Sequence, residues 1–171
     1  MERLYGFDQR FDVFWEKLRT SSTQLLAVRS AAALAWHFDE KLRNDRAAAL
    51  AMLGSDGEIA AYLILQRKDS GRLALLGYLV ADLQVLGGRE EIAIPVLLRA
   101  ALDLASATGV HVVKTVGFSS QKYNVLRSLR PYRLRYTNPQ YNFFRVNRSL
   151  EINLNDPAIW DASPIDGDAA F

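Results

Sequence analysis

The chain has no cysteine and two histidines. Thiol nucleophiles, disulfides and Cys-based metal sites are therefore excluded, and two lone histidines do not make a zinc site. His111 stands between Val110 and Val112, an alternation that reads as a satisfied core histidine on a central strand, with general-base work as the alternative. Asp161, Asp166 and Asp168 invite a calcium reading, but they lack the spacing of an EF-hand loop, and no metal is expected. Gly87-Gly88 reads by itself as a turn after a strand.

Charge is distributed unevenly. Residues 114–148 carry eight basic side chains and no acid, whereas residues 151–171 carry five acids and no Lys or Arg. Basic residues interleaved with Tyr132, Tyr136, Tyr141 and Phe143 are one pattern of a single-strand nucleic-acid surface. Arg133 and Arg135 alternate with Leu134 and Tyr136, however, as on the exposed face of a half-buried strand, and nucleic acid is not the expected partner. The acidic tail is expected to fold back over this sheet edge, with Trp160 in apolar contact and Asp161, Asp166 or Asp168 near the arginines.

The elements that must position these residues follow from periodicity and turn signals. Phe7, Phe11, Phe14, Trp15 and Leu18 repeat at helical spacing with Asp8 as the cap, and Ser30 caps a second helix, AAALAWHFDEKL, in which core packing is expected of Trp36. Residues 47–54 and 58–66 form a hairpin around Ser55-Asp56-Gly57, and Asp69-Ser70-Gly71 turns the chain into the strand Leu73 to Asp82. Pro95 suits the first position of the next helix and Gly109 the residue just past its end, so 72–117 is a βαβ unit closed by a strand over 110–116. A short helix over 119–129 has Tyr123, Leu126 and Leu129 as its apolar side. Strands over 132–136 and 141–146 follow it.

At 171 residues, half of them hydrophobic, the chain suits one domain on a prior of ~100–200 residues per domain. Residues 1–148 are read as that domain and 149–171 as an acidic tail packed on it. No apolar run reaches the ~18 residues of a membrane span, and the N-terminus has no signal-peptide core, so a cytoplasmic protein is expected.

This order of helix, helix, three antiparallel strands, helix, strand, helix and two strands resembles the GNAT acyltransferase fold, an α/β mixed sheet flanked by helices, over about residues 20–148. Its first strand has Leu25 to Val28 as the sole candidate. The RFDVFWEKL opening, the LLAVRS and WHF stretches and the DGDAAF ending resemble the C-terminal half of bacterial proteins with two tandem GNAT-like domains, which implies an N-terminal partner domain or a homodimer.

The resemblance implies acetyl-CoA or another acyl-CoA as donor and a small-molecule or peptide amine as acceptor. The donor would bind along the strand backbone at Val80, Asp82 and Leu83 and on a Gln/Arg-x-x-Gly-x-Gly/Ala loop, where glycines turn backbone N–H groups toward pyrophosphate at a helix N-terminus. Counting back from Pro95, that loop falls on Arg89-Glu90-Glu91-Ile92-Ala93-Ile94, with β-branched residues at both glycine positions, and looks degenerate. The rival frame, Gln84-Val85-Leu86-Gly87-Gly88-Arg89, keeps the first four positions but requires either extra residues between the loop and the helix or a helix that begins near Arg89 and contains Pro95. Arg89 is the anion contact in either frame. The family's thiolate-protonating tyrosine falls on Arg127, with Tyr123 one turn earlier as the nearest phenol, and Trp36 and His37 would border the acceptor. Two readings stay open: an N-acyltransferase, and a catalytically degenerate module that binds a ligand or a protein.

Overall fold

The computed structural model describes residues 1–70, 75–131, 153 and 156–166. In chain order the elements are β1 (Glu2–Leu4), α1 (Gln9–Ser21), α2 (Ala31–Arg43), β2 (Ala47–Leu53), β3 (Ile59–Ser70), β4 (Leu75–Val85), α3 (Glu90–Ala107), β5 (Val112–Lys114) and α4 (Ser120–Ser128). Two 3-10 turns, Pro157–Ile159 and Pro164–Asp166, follow. The strands form one mixed sheet in the order β1-β2-β3-β4-β5, in which only the β4–β5 pair is parallel. The strands expected over 132–136 and 141–146, and Arg133, Arg135 and Asp168, lie outside the described residues.

Both faces of this sheet are covered. Strand residues such as Leu63, Leu65, Val80 and Leu83 pack with Ile94, Leu97 and Ala101 of α3 and Leu126 of α4. Their neighbours Tyr62, Ile64 and Ala81 pack on the other face with Phe11, Phe14 and Leu18 of α1 and Leu34 and Phe38 of α2. Period-2 alternation thus feeds two cores, which is why these strands read as nearly continuous apolar runs. The helix caps are those expected: Asp8 accepts from the Arg10 N–H, and the Ser30 hydroxyl accepts from the Ala33 N–H.

Four sequence expectations are corrected. The first strand is Glu2–Leu4, paired with Leu50 and its neighbours on β2, and not Leu25 to Val28. Three residues at a sheet edge give too little alternation to read, and Leu25 instead makes a lone parallel bridge to Trp160. Helix α3 starts at Glu90 and carries Pro95 inside it. The proline ring removes a single N–H in the second turn, opposite the exposed end of Glu91, which the helix tolerates better there than in its middle. His111 is exposed, because the strand shortens to Val112–Lys114; its Nδ1 accepts from the Leu76 N–H at 3.3 Å. Trp36 is 79 % exposed, since the buried side of α2 is set by Leu34 and Phe38 and residue 36 falls roughly opposite.

One irregularity decides what β4 presents. Ile64 faces Asp82 and Leu65 faces Val80, so Ala81 is an extra residue, a β-bulge. Under strict alternation residues 82 and 84 would share the apolar face of Val80. The bulge puts Leu83 and Val85 on that face instead and leaves Asp82 and Gln84 on the side of Tyr62.

Candidate functional site

Two features meet along β4. The first is the corner between β4 and α3. Gly87 and Gly88 have φ of +70° and +66°, Arg89 is the N-cap residue, and α3 begins at Glu90. Positive φ at two successive glycines ahead of a helix N-terminus leaves backbone N–H groups there free of any Cβ, a setting suited to an anion. This is the Gln84 to Arg89 frame. In the Arg89 to Ile94 frame the glycine-type positions fall on Ile92 and Ile94, which are ordinary helical residues, so that frame does not describe a loop. Gly88, Arg89 and Glu91 line a cleft of about 690 Å³ whose far wall is Gln121, Asn124, Val125 and Ser128 of α4.

The edge of β4 is open beside this corner. Pairing with β5 covers Gly77 to Leu79 only, so among the described residues no strand pairs with the β5-facing edge of residues 80–85. Val80 and Leu83 are buried on the α3 side. Their backbone, not their side chains, faces the gap where β4 and β5 part.

The second feature is a buried polar network on the α1/α2 side of the same residues. The Asp82 side chain is fully buried, and its Oδ2 accepts from the Tyr62 hydroxyl at 2.7 Å and lies 2.8 Å from Arg29 Nε, off the hydrogen-bond direction. Its Oδ1 accepts from Ser163 Oγ at 2.6 Å and from Gln84 Nε2 at 3.2 Å. Gln84 Oε1 in turn accepts from Lys122 Nζ at 3.0 Å, and Lys122 donates to Asp161 Oδ2 at 2.9 Å. Arg29 Nη2 donates to Asp166 at 2.6 Å and 2.7 Å and to Ser163 Oγ at 2.9 Å. Burial pushes the Asp82 carboxyl up, but Arg29 and the bonds from Ser163 and Tyr62 outweigh it and hold it below the usual carboxylate range. Burial raises Tyr62 well above an ordinary phenol, with Asp82 adding to it, and burial likewise raises Asp166 despite Arg29.

The expected site residues divide accordingly. Gly87, Gly88 and Arg89 meet at the corner. Asp82 and Gln84 are on β4 as expected, but their side chains are committed to the network. Tyr123 is half-buried on α4, roughly opposite Gln121 and Val125 round the helix, and so does not line the cleft; Arg127 is exposed. Trp36 projects outward. His37, stacked edge-on against it at 4.6 Å, is lowered first by its burial and then by Lys41 and Arg29, with Asp166 and Asp82 opposing. Of the tail carboxylates, Asp161 meets Lys122 and Asp166 meets Arg29. Neither cation was foreseen, although each is a lone charge beside apolar residues, Arg29 after LLAV and Lys122 before Tyr123. Ser163 carried no sequence signal.

No protein-family model matches the sequence, and no curated protein matches it. Solved structures do. An aminoglycoside acetyltransferase from an uncultured soil metagenomic sample, solved with trehalose, superposes with a TM-score of 0.60 at 15 % identity, over 84 % of this chain and 95 % of that one. A ribosomal-protein-alanine N-acetyltransferase from Brucella melitensis biovar Abortus gives 0.57 at 14 % identity, over 83 % and 98 %. An acetyltransferase of Trypanosoma brucei gives 0.56 at 14 % identity, over 83 % and 99 %. At these identities the likeness is one of fold, and with the five-stranded mixed sheet, its β4–α3–β5 parallel unit and the bulge in β4 it leads to one conclusion: the chain has the fold of the GNAT acetyltransferases.

Proposed function

We propose that the chain is an acyl-CoA-dependent N-acyltransferase. It holds the phosphate-bearing part of its donor at Gly87-Gly88-Arg89 and passes the acyl group to an amine beside Val80, Asp82 and Leu83. The observation that carries this reading is the pair of left-handed glycines leading straight into α3, next to an open cleft and an unpaired strand edge. An acyl-CoA supplies an acyl group already activated as a thioester. The protein's share is then orientation: backbone N–H groups and the Arg89 guanidinium meet phosphate, and the open edge of β4 aligns an extended chain by hydrogen bonds. Glu90 and Glu91 suit the α3 dipole but oppose a phosphate, which leaves Arg89 to offset them. Tyr123 is the phenol nearest to the expected acid position and is assigned the proton that the departing thiolate takes up.

A second reading is a binding module without transfer. It is favoured by the segment 158–166, which covers the α1/α2 side of Asp82, and by Arg127, which holds the expected acid position and does not give up a proton near neutral pH. The two readings part in a thiol-release assay, which has no protein background in a chain without cysteine. With acetyl-CoA and a panel of amines, the enzyme releases free CoA in an amine-dependent way. Binding of acetyl-CoA with no amine-dependent release selects the module.

A further inference from the structure

The buried network has more charge than the domain body can balance. Arg29, between α1 and α2, has a side chain 2 % exposed, and Lys122 on α4 is 5 % exposed. The body offers these two buried cations one carboxylate, Asp82. The other two, Asp161 and Asp166, come from the C-terminal segment. Without that segment the site is a polar recess holding two cations and one anion, a composition that calls for a further anion.

The segment is placed where an acceptor has to be. Ser163 reaches Asp82 beside the bulge, and Pro164 lies 3.9 Å from where a side chain on Gly117 would begin, so residues 163–164 bridge the gap between β4 and the end of β5. The α3/α4 side of the sheet is filled by Leu97, Ala101 and Leu126. An amine therefore approaches residues 80–83 from the α1/α2 side, and the segment occupies that side.

Among the described residues, its main-chain attachment is light compared with that of the sheet. One parallel bridge joins Leu25 to Trp160, through Leu25 N–H to the Ile159 carbonyl and Asp161 N–H to the Leu25 carbonyl, and Gln24 Nε2 donates to the Ala158 carbonyl. Among the described residues of the segment, Ile165 is the large apolar side chain buried in the core. The segment's hold on the body therefore lies mainly in the polar contacts of Asp161, Ser163 and Asp166, and a ligand that replaces those contacts can release it while the sheet keeps its own bonds.

Resting on the acyltransferase reading, we infer that Arg29 and Lys122 form the recognition site for an acceptor that carries a carboxylate beside its amine, an amino acid or acidic peptide, and that Asp161 and Asp166 occupy this site in the resting chain as an internal competitor. The acceptor's carboxylate replaces a tail carboxylate on the same cations, and its amine is left beside the bulge. An amine without a carboxylate has nothing to exchange.

The test uses the full chain with L-glutamate and n-butylamine as probes, and proteolytic sensitivity of the C-terminal segment plus Trp160 fluorescence, assigned with Trp160→Phe, as readouts. L-glutamate is expected to raise cleavage of the segment and shift the fluorescence, while n-butylamine does neither. The Asp161→Asn, Asp166→Asn double variant is expected to bind L-glutamate at least tenfold more tightly than the unaltered chain. Equal responses to the two probes, or no gain in the double variant, overturn the inference. Should the double variant fail to fold, Lys122→Gln serves instead: it is expected to lose the L-glutamate response and keep acetyl-CoA binding by calorimetry, and a retained response overturns the inference. Absent acetyl-CoA binding in the unaltered chain would sink the acyltransferase reading and leave the carboxylate result readable.

Discussion

Ser163 Oγ donates to Asp82 Oδ1 over 2.6 Å across 81 residues of chain, and the same oxygen accepts from Arg29 Nη2 at 2.9 Å. One hydroxyl thus links the C-terminal segment to both members of the buried ion pair. Ser163→Ala leaves a buried Arg29 N–H and a carboxylate lone pair with one partner fewer, and should cost about 1–3 kcal/mol. Urea unfolding measures it. A loss below about 0.5 kcal/mol, the size of an ordinary surface change, would mean that the segment's docking does not depend on this bond.

Arg29→Met should be more damaging, by about 3–5 kcal/mol, because it strands Asp82 in a fully buried position. The added Asp82→Asn change should recover part of that loss. A double-mutant cycle in the same denaturant series tests the coupling, and purely additive losses would show that the two groups do not sense each other.

The pH dependence has two limbs with opposite signs. Asp82, held low in the folded chain, contributes stability above its unfolded value near 3.8 and loses it as pH falls through the lower folded value. Tyr62 is held above its unfolded value of 10.0, so its contribution is complete below that value and declines as pH rises beyond it. Unfolding midpoints between pH 7 and about pH 11 should therefore fall more steeply for the unaltered chain than for Tyr62→Phe. Parallel alkaline limbs would place the phenol in water.

Tyr123→Phe tests the assigned proton donor. If the phenol protonates the thiolate, kcat should fall by about 10²-fold or more with the fold intact, within the ordinary range of general acid catalysis. An unchanged kcat removes Tyr123 from the chemistry.

Much of this architecture was legible. Apolar runs, the Asp8 and Ser30 caps and the Ser55-Asp56-Gly57 turn each express a local preference that the tertiary structure keeps, and the parallel unit followed from two β-branched or apolar strands around one helix. What escaped was set by tertiary context. Pro95 looked like a helix start because propensity says nothing about a proline that a longer helix tolerates in its second turn. Three residues of β1 carry no period. The bulge at Ala81 cannot be read from a run that is apolar on both faces, yet it decides that Asp82 faces Tyr62. The pairing of Arg29 with Asp166, 137 residues apart, depends on closure of the whole fold.

The most direct test of the central claim is calorimetry of acetyl-CoA binding to the unaltered chain and to Gly88→Val. A β-branched residue is strained at φ of +66°, by roughly 1–2 kcal/mol, and turns the backbone away from the corner. The unaltered chain should bind with a Kd in the micromolar range, and Gly88→Val, still folded by circular dichroism, should bind at least tenfold more weakly. No binding by the unaltered chain, or equal binding by the two proteins, would contradict a donor site at Gly87-Gly88-Arg89.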